Sequence, residues 1–169
     1  GRAAVDGAMA AGLTSHLLQA GFGPDSVLRM VNAALMVKSG DESLATLDIA
    51  SVNLFTGRLE SLKAGASVSL LRSRGRVSRI EKSSLPVGIL EGVNFEKNTV
   101  TLREGDWVVM VSDGAVAGGY GWLGSDLERY AGEDPKQLSE QLAAEAYRRR
   151  LDGHQDDITV IAIRLERGL

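Results

Sequence analysis

A chain of 169 residues with 44% hydrophobic and 24% charged residues has the size and composition of one soluble globular domain. Its formal net charge of −3 argues against a surface that binds nucleic-acid phosphates. The absence of cysteine excludes disulfide bonds and thiolate metal ligands. No apolar run approaches the roughly 20 residues that cross a bilayer, and no signal peptide is visible.

The first forty residues predict a helical hairpin. Apolar residues recur at every fourth position between residues 2 and 20, and Gly21 fits the position that ends a helix. Gly23-Pro24-Asp25 predicts the start of a second helix, because proline fits a first turn and an acid favours the positive end of the helix dipole. Neither helix can bury its apolar stripe alone. The stripes comprise Val5, Met9, Leu13 and Leu17, and Val27, Leu28, Val31, Leu35 and Met36.

From residue 44 onward the hydrophobic pattern changes to a period of two, which is typical of strands. Strands are predicted at 44–55, 58–64, 67–72, 76–81, 93–102, 107–112 and 157–165. The strands around Arg74-Gly75 predict a hairpin, and the strands on either side of 103–106 predict a further antiparallel pair. A turn-rich connection at 83–92, a glycine-rich loop at 113–121 and helices at 122–131 and 135–151 complete the pattern. The predicted fold class is α+β, with antiparallel sheets flanked by helices.

Two acidic turns attached to apolar strands are the most informative segments for function. The strand Val108–Val111 runs through Ser112 into Asp113-Gly114, and Gly153–Asp157 leads into the apolar segment Ile158–Ile163. An Asp-Gly pair after a strand is by itself most often a turn. Two such acids at strand ends can nevertheless supply the oxygen ligands that Mg²⁺ and Mn²⁺ favour.

The two segments, V-M-V-S-D-G-A and G-x-x-D-D-I-T-V-I, resemble the last two motifs of the metal-dependent protein Ser/Thr phosphatases, the PPM family. Residues 45–57, 83–90 and 102–106 resemble the bacterial branch typified by the stage II sporulation protein E phosphatase. The motifs occur in family order along nearly the whole chain. The resemblance implies a PPM-type sandwich of antiparallel sheets with helices outside.

The resemblance also implies the site residues and the chemistry. In the complete domain, which would hold two ions, Mn²⁺ or Mg²⁺, Asp113 and Asp156 would be metal ligands, while Asp157 and Gly114 would support the ligands from outside. A metal-bound water, with no further catalytic side chain, would hydrolyse phosphoserine or phosphothreonine on a regulatory protein. The implied partner is a phosphorylated anti-sigma-factor antagonist. The implied location is the cytoplasm, either free or as the cytoplasmic part of a longer membrane-anchored protein.

One departure from the family is large. Its members begin with strands that carry an Asp-Gly-Met-Gly motif, whose first Asp bridges the metals, whereas Gly1–Ala4 resembles the segment just after that motif. Asp6 falls inside a helical pattern and is a poor substitute.

The sequence is therefore interpreted as a single N-terminally truncated domain over 1–169. Its parts are a helix pair (1–40), antiparallel strands (41–112), a loop with helices (113–151) and a final turn and strand (152–169). This fragment alone is expected to be inactive. The alternative is a catalytically incompetent regulatory or dimerisation module of the same fold, and the apolar stripes of the helix pair are compatible with a homodimer.

Four other polar features have simpler interpretations. Asp48 is expected to be an acid on a solvent-facing strand surface rather than a ligand. His154 is expected to be an exposed loop side chain rather than a proton relay, and His16 is expected to be structural. Arg148–Arg150 would complement the dipole at a helix end rather than dock a phosphoprotein.

Overall fold

The computed structural model describes residues 2–38, 44–117, 119–150 and 156–166. The chain divides into two compact units. Unit 1 comprises Gly1–Val52, Leu59–Ala66 and Lys82–Thr99, and unit 2 comprises Asn53–Arg58, Ser67–Glu81 and Val100–Leu169. Each unit has its own sheet and its own helices.

Unit 1 begins with the predicted helical hairpin, α1 (Arg2–Gln19) and α2 (Pro24–Lys38). Gly21 ends α1 in the left-handed conformation (φ 90°), and its N–H donates to Leu18 O at 3.0 Å. Only glycine adopts this conformation without strain, which confirms the predicted helix end.

The two helices bury their apolar stripes to different extents. The stripe residues Val27, Leu28, Val31 and Leu35 of α2 are completely buried in the core of unit 1. On α1, the stripe residues Met9, Leu13 and Leu17 pack against the same core, whereas Val5 is 59% exposed. The hairpin therefore covers most of its apolar surface within unit 1.

The sheet of unit 1 contains three strands in the order β1-β2-β5. Their bounds are β1 (Leu47–Val52), β2 (Arg58–Ala64) and β5 (Lys97–Thr101). Strands β1 and β2 are antiparallel, and their register places Asp48 directly opposite Lys63.

Asp48 does not lie on a solvent face, and that prediction is wrong. Its side chain is only 15% exposed and forms an ion pair with the Nζ of Lys63, which is completely buried. Burial of a lysine ammonium requires an opposite charge within contact distance, and the cross-strand register supplies it. The period-two pattern alone could not reveal this pair, because it assigns charged residues to the outer face.

Asn32 on α2 links the helix to the turn-rich connection. Its Nδ2 donates to Leu90 O at 3.0 Å, and its Oδ1 accepts from Gly88 N at 2.7 Å. The side chain is 6% exposed, so both ends of the amide are satisfied in a buried position.

Unit 2 is built on a four-stranded sheet in the order β4-β3-β6-β7. The strands are β3 (Ser69–Ser73), β4 (Arg76–Ile80), β6 (Trp107–Val111) and β7 (Val160–Arg164). All its neighbouring pairs are antiparallel. The helices of this unit are α3 (Asp113–Val116), α4 (Gly121–Arg129) and α5 (Pro135–Arg148), and the buried residues of α4 and α5 share one core with β6.

Two predictions about this region are wrong. Strands β5 and β6 do not pair with each other, because β5 lies beside β2 and β6 lies between β3 and β7. All five residues of β6 are buried, which suits a central strand covered on both faces, whereas the alternating exposure of β5 suits an edge. In addition, the segment predicted as a loop at 113–121 begins with the short helix α3.

Trp107 anchors the start of β6. It is 1% exposed, and its ring meets the Tyr130 ring edge-on at a centroid distance of 5.5 Å. The guanidinium groups of Arg72 and Arg164 lie 5.2 and 5.6 Å from the Trp107 ring. The indole of Trp107 therefore interacts with two cations.

The observed fold class is α+β with antiparallel sheets and helices, as the sequence predicts. Within the described residues, no helix has the length and hydropathy that crossing a membrane requires.

Candidate metal centre

Both predicted metal ligands lie at one end of the unit 2 sheet. Asp113 is the first residue of α3 and follows the buried strand β6 after a single residue. Asp156 lies four residues before β7, which pairs directly with β6. Both residues are exposed, so their carboxylates are accessible from solvent.

Ser112 ties these two segments together. Its backbone N–H donates to Thr159 O at 3.0 Å, which continues the β6–β7 pairing beyond the ends of both strands. Its hydroxyl accepts from Thr159 N at 2.9 Å and donates to Asp157 O at 3.0 Å. Three hydrogen bonds from one residue therefore fix the acidic turn before β7 against the acidic turn after β6.

Gly114 lies at a close contact between the turns. A Cβ placed on this residue would lie 2.4 Å from Asp157 O and 3.3 Å from Asp156 C. The glycine is required by this contact rather than by its backbone angles, because its φ is not in the left-handed region. That Gly114 supports metal ligands remains a prediction.

The carboxylates of the turns are oriented by nearby backbone groups. Asp113 Oδ1 accepts from Gly114 N at 3.2 Å, and Asp156 Oδ1 accepts from Asp157 N at 2.9 Å. The guanidinium of Arg150 donates to the carbonyl oxygen of Asp156. Each carboxylate thus keeps a second oxygen that can bind a cation.

This donor set fits Mg²⁺ or Mn²⁺ in its chemistry but does not complete a site. Carboxylate and backbone oxygens from two strands are the ligands that these hard cations prefer, with water in the remaining positions. Within the described residues, no group of three or more Asp, Glu or His side chains is placed to hold a metal ion. Asp6, the early acid in the sequence, lies in α1 of unit 1 and is 2% exposed.

The arginine run at the end of α5 is engaged by neighbouring residues. Arg148 and Arg149 both pair with Glu145, and Arg149 also lies 5.4 Å from the Trp122 ring. Arg150 holds the Asp156 carbonyl, as described above. The sequence assigned these cations to the helix dipole and missed the contact with the acidic turn.

His16, the histidine that the structure describes, adds no ligand to this site. His16 is exposed on α1, and its Nδ1 lies 2.8 Å from Gly12 O, one turn earlier in the same helix. The prediction for His154 concerns a residue outside the described ranges.

Comparison with known proteins identifies the family. The family model described as stage II sporulation protein E (SpoIIE) matches residues 2–166. The chain belongs to this family. Two curated relatives, the stage II sporulation protein E of Bacillus subtilis (strain 168) and that of Priestia megaterium, are each 26% identical over 160 residues, or 91% of this chain. The chain spans 19% and 27% of their respective lengths.

Solved SpoIIE structures share the fold. A structure of the PP2C phosphatase domain and a fragment of the regulatory domain of Bacillus subtilis SpoIIE is 25% identical, with a TM-score of 0.84. The match covers 95% of this chain and 49% of the chain in that structure. A Mn-presoaked structure of the phosphatase domain of the same protein has a TM-score of 0.68 at 25% identity. The PPM-type fold that the sequence motifs implied is thereby confirmed.

Proposed function

We propose that this chain is part of a metal-dependent protein Ser/Thr phosphatase domain and supplies two carboxylates, Asp113 and Asp156, to its metal centre. The substrate would be phosphoserine or phosphothreonine on a regulatory protein such as an anti-sigma-factor antagonist. Units 1 and 2 would belong to one domain over 1–169, since the family model matches them continuously.

The contact of Gly114 with the Asp156-Asp157 backbone carries this proposal. Two acidic turns that lie 43 residues apart in sequence meet at one end of the sheet, and their carboxylates are exposed. Such convergence is unexpected for two ordinary surface turns, because like charges repel and a glycine must be kept at the contact. A bound divalent cation offsets that repulsion.

The residues of the two acidic turns and their neighbours each have a definite part in this proposal. Bound Mg²⁺ or Mn²⁺ would supply a Lewis acid that polarises phosphoryl oxygens and activates water. Asp113 and Asp156 would hold the cation, while Ser112 and Gly114 set the separation of their turns. Arg150 would fix the Asp156 backbone and thereby limit rotation of its carboxylate.

The second candidate function is a regulatory or dimerisation module without catalytic competence. One observation favours it, since two carboxylates are fewer than a stable two-ion centre requires and the described residues contain no third ligand beside them. The two candidates differ in the behaviour of a chain that also carries the Asp-Gly-Met-Gly segment.

The experiment compares a chain extended by an Asp-Gly-Met-Gly segment with its Asp113→Asn and Asp156→Asn variants, using hydrolysis of a phosphoserine peptide with and without Mn²⁺. Asparagine keeps the shape but loses the charge, so Mn²⁺-stimulated turnover should fall by on the order of 10²-fold or more. The matched control is Asp126→Asn, since Asp126 on α4 pairs with Arg129 on the helix surface. Near-normal turnover in both turn variants would exclude these residues from the mechanism, and an extended chain without Mn²⁺-dependent turnover would favour the module.

A further inference from the structure

We infer that a cleft at the opposite end of the unit 2 sheet binds a phosphate group, at a site separate from the candidate metal centre. The cleft is open to solvent on one side and has a volume of ≈ 430 Å³. It lies between the β3–β4 turn, the segment before β6 and the end of α4. Its ionisable lining consists of Arg72, Arg74, Arg103, Glu104, Asp106 and Tyr130.

The volume of the cleft limits the size of the ligand that it can admit. This volume is ample for a phosphate group with its hydration water, and the open side would admit a phosphorylated side chain.

The charges that line the cleft favour an anion. Three guanidinium groups face two carboxylates, and one of those carboxylates is already occupied: Asp106 is 4% exposed and accepts a hydrogen bond from Arg103 N at 2.8 Å. Arg74 and Arg103 are exposed, and neither side chain forms an ion pair within the described part of the chain. Their planar donor groups match the oxygens of a phosphate.

Arg72 adds positive potential at the side of the cleft. Its Nη1 donates to Leu127 O at 2.7 Å and to Tyr130 O at 2.6 Å, so these bonds engage carbonyl dipoles and no carboxylate. Burial, and next the nearby charge of Arg164, lower the pKa of Arg72. An anion in the cleft would offset the repulsion between the two guanidinium groups.

The backbone at Arg74 is a further sign that its charge is useful. Arg74 and Gly75 form the β3–β4 turn with φ values of 52° and 73°. Asparagine is favoured over arginine in such a left-handed position, because its short side chain can hydrogen-bond locally. The chain thus keeps a long cationic side chain where the local conformation favours a short polar one.

The cleft is distinct from the candidate metal centre. Asp106 comes immediately before β6 and Asp113 comes after it, so the five-residue strand separates them. A strand of that length spans roughly 17 Å. One phosphate group therefore cannot contact both sites.

The test is an amide NMR titration of the chain with inorganic phosphate, at constant ionic strength maintained with chloride and with a chelator present to keep divalent cations off the acidic turns. We expect saturable shifts at Arg74, Gly75 and residues 103–105. The Arg74→Asn and Arg103→Gln variants should each weaken binding by about fivefold, as expected for loss of one charge-assisted contact at an exposed site. The control is Arg76→Gln, since Arg76 is exposed on the same hairpin but does not line the cleft.

Absence of saturable shifts at these amides, or equal weakening by Arg76→Gln, would overturn the proposal. Arg74→Asn should leave the thermal unfolding temperature unchanged or raise it. A lowered unfolding temperature would therefore reveal a variant that loses binding because it misfolds. Titration with a phosphoserine peptide identifies the source of the phosphate. If the peptide binds more tightly than inorganic phosphate and both cleft variants lose this gain, the cleft is assigned to a phosphorylated protein segment. If the peptide binds equally well or more weakly, the cleft is assigned to the free ion.

Discussion

Substitution of Gly114 by alanine tests whether the contact between the two acidic turns sets the geometry of the candidate metal centre. The added Cβ would lie 2.4 Å from the carbonyl oxygen of Asp157, and real Cβ atoms essentially never approach another heavy atom within 3.0 Å. The turns must therefore separate by at least the difference, 3.0 − 2.4 = 0.6 Å. The obstacle is backbone on both sides, so no side-chain rotation can relieve it.

The size of the effect follows from that displacement. Overpacking of this kind costs about 1–3 kcal/mol of unfolding free energy. For a chain of this length, each kcal/mol lowers the unfolding temperature by roughly 2–4 °C. Displacement of groups that orient metal ligands weakens metal binding by about 10- to 100-fold. Gly114→Ala should therefore lower both stability and Mn²⁺ affinity.

The assay combines thermal unfolding with Mn²⁺-induced broadening of the amide signals of residues 112–114. The matched control is Gly124→Ala on α4, where the new Cβ meets only Val77 Cγ1 at 3.9 Å. Alanine is favoured over glycine within a helix by about 0.5–1 kcal/mol, so this control should be stabilised. Unchanged unfolding temperature and unchanged Mn²⁺ broadening in Gly114→Ala would refute the reasoning.

Two further substitutions test contacts described above. Ser112→Ala removes the hydroxyl that bridges the turns, so it should lower the free energy of unfolding in urea by about 1–3 kcal/mol and weaken the Mn²⁺ broadening. A change in stability without any change in broadening would mean that Ser112 does not position the ligands. Lys63→Met removes the buried ammonium beside Asp48 and should cost about 3 kcal/mol, whereas adding Asp48→Leu should restore part of that loss. Additive costs in the double variant would contradict a coupled pair.

The sequence predicted the elements whose patterns are local. The four-residue repeat of α2 and the left-handed Gly21 follow from neighbouring residues alone, and both were confirmed. Strand pairing is not local, and the close sequence neighbours β5 and β6 were wrongly paired. The uninterrupted apolar run of β6 was the available signal, because such a run is typical of a strand buried on both faces in the middle of a sheet.

The acidic residues of the candidate site could be predicted from the sequence, but the contacts that support them could not. Asp113 and Asp156 were found from motifs at strand ends, and they remain predictions as metal ligands. The bonds from Ser112 to Asp157 and Thr159 join residues that are 45 and 47 positions apart, a register that no local pattern encodes. The partnership of Asp48 with Lys63 was missed for the same reason, since it arises only when β1 and β2 are aligned.

The division of the chain into two units has an optical consequence. All five tryptophan and tyrosine residues belong to unit 2, namely Trp107, Trp122, Tyr120, Tyr130 and Tyr147. Intrinsic fluorescence therefore reports the environment of unit 2, and unit 1, which contains both hairpin helices, contributes no such signal. Far-ultraviolet circular dichroism reports helices of both units. The two spectroscopic transitions will coincide if the units unfold as one cooperative block and will separate if the helical hairpin unfolds on its own.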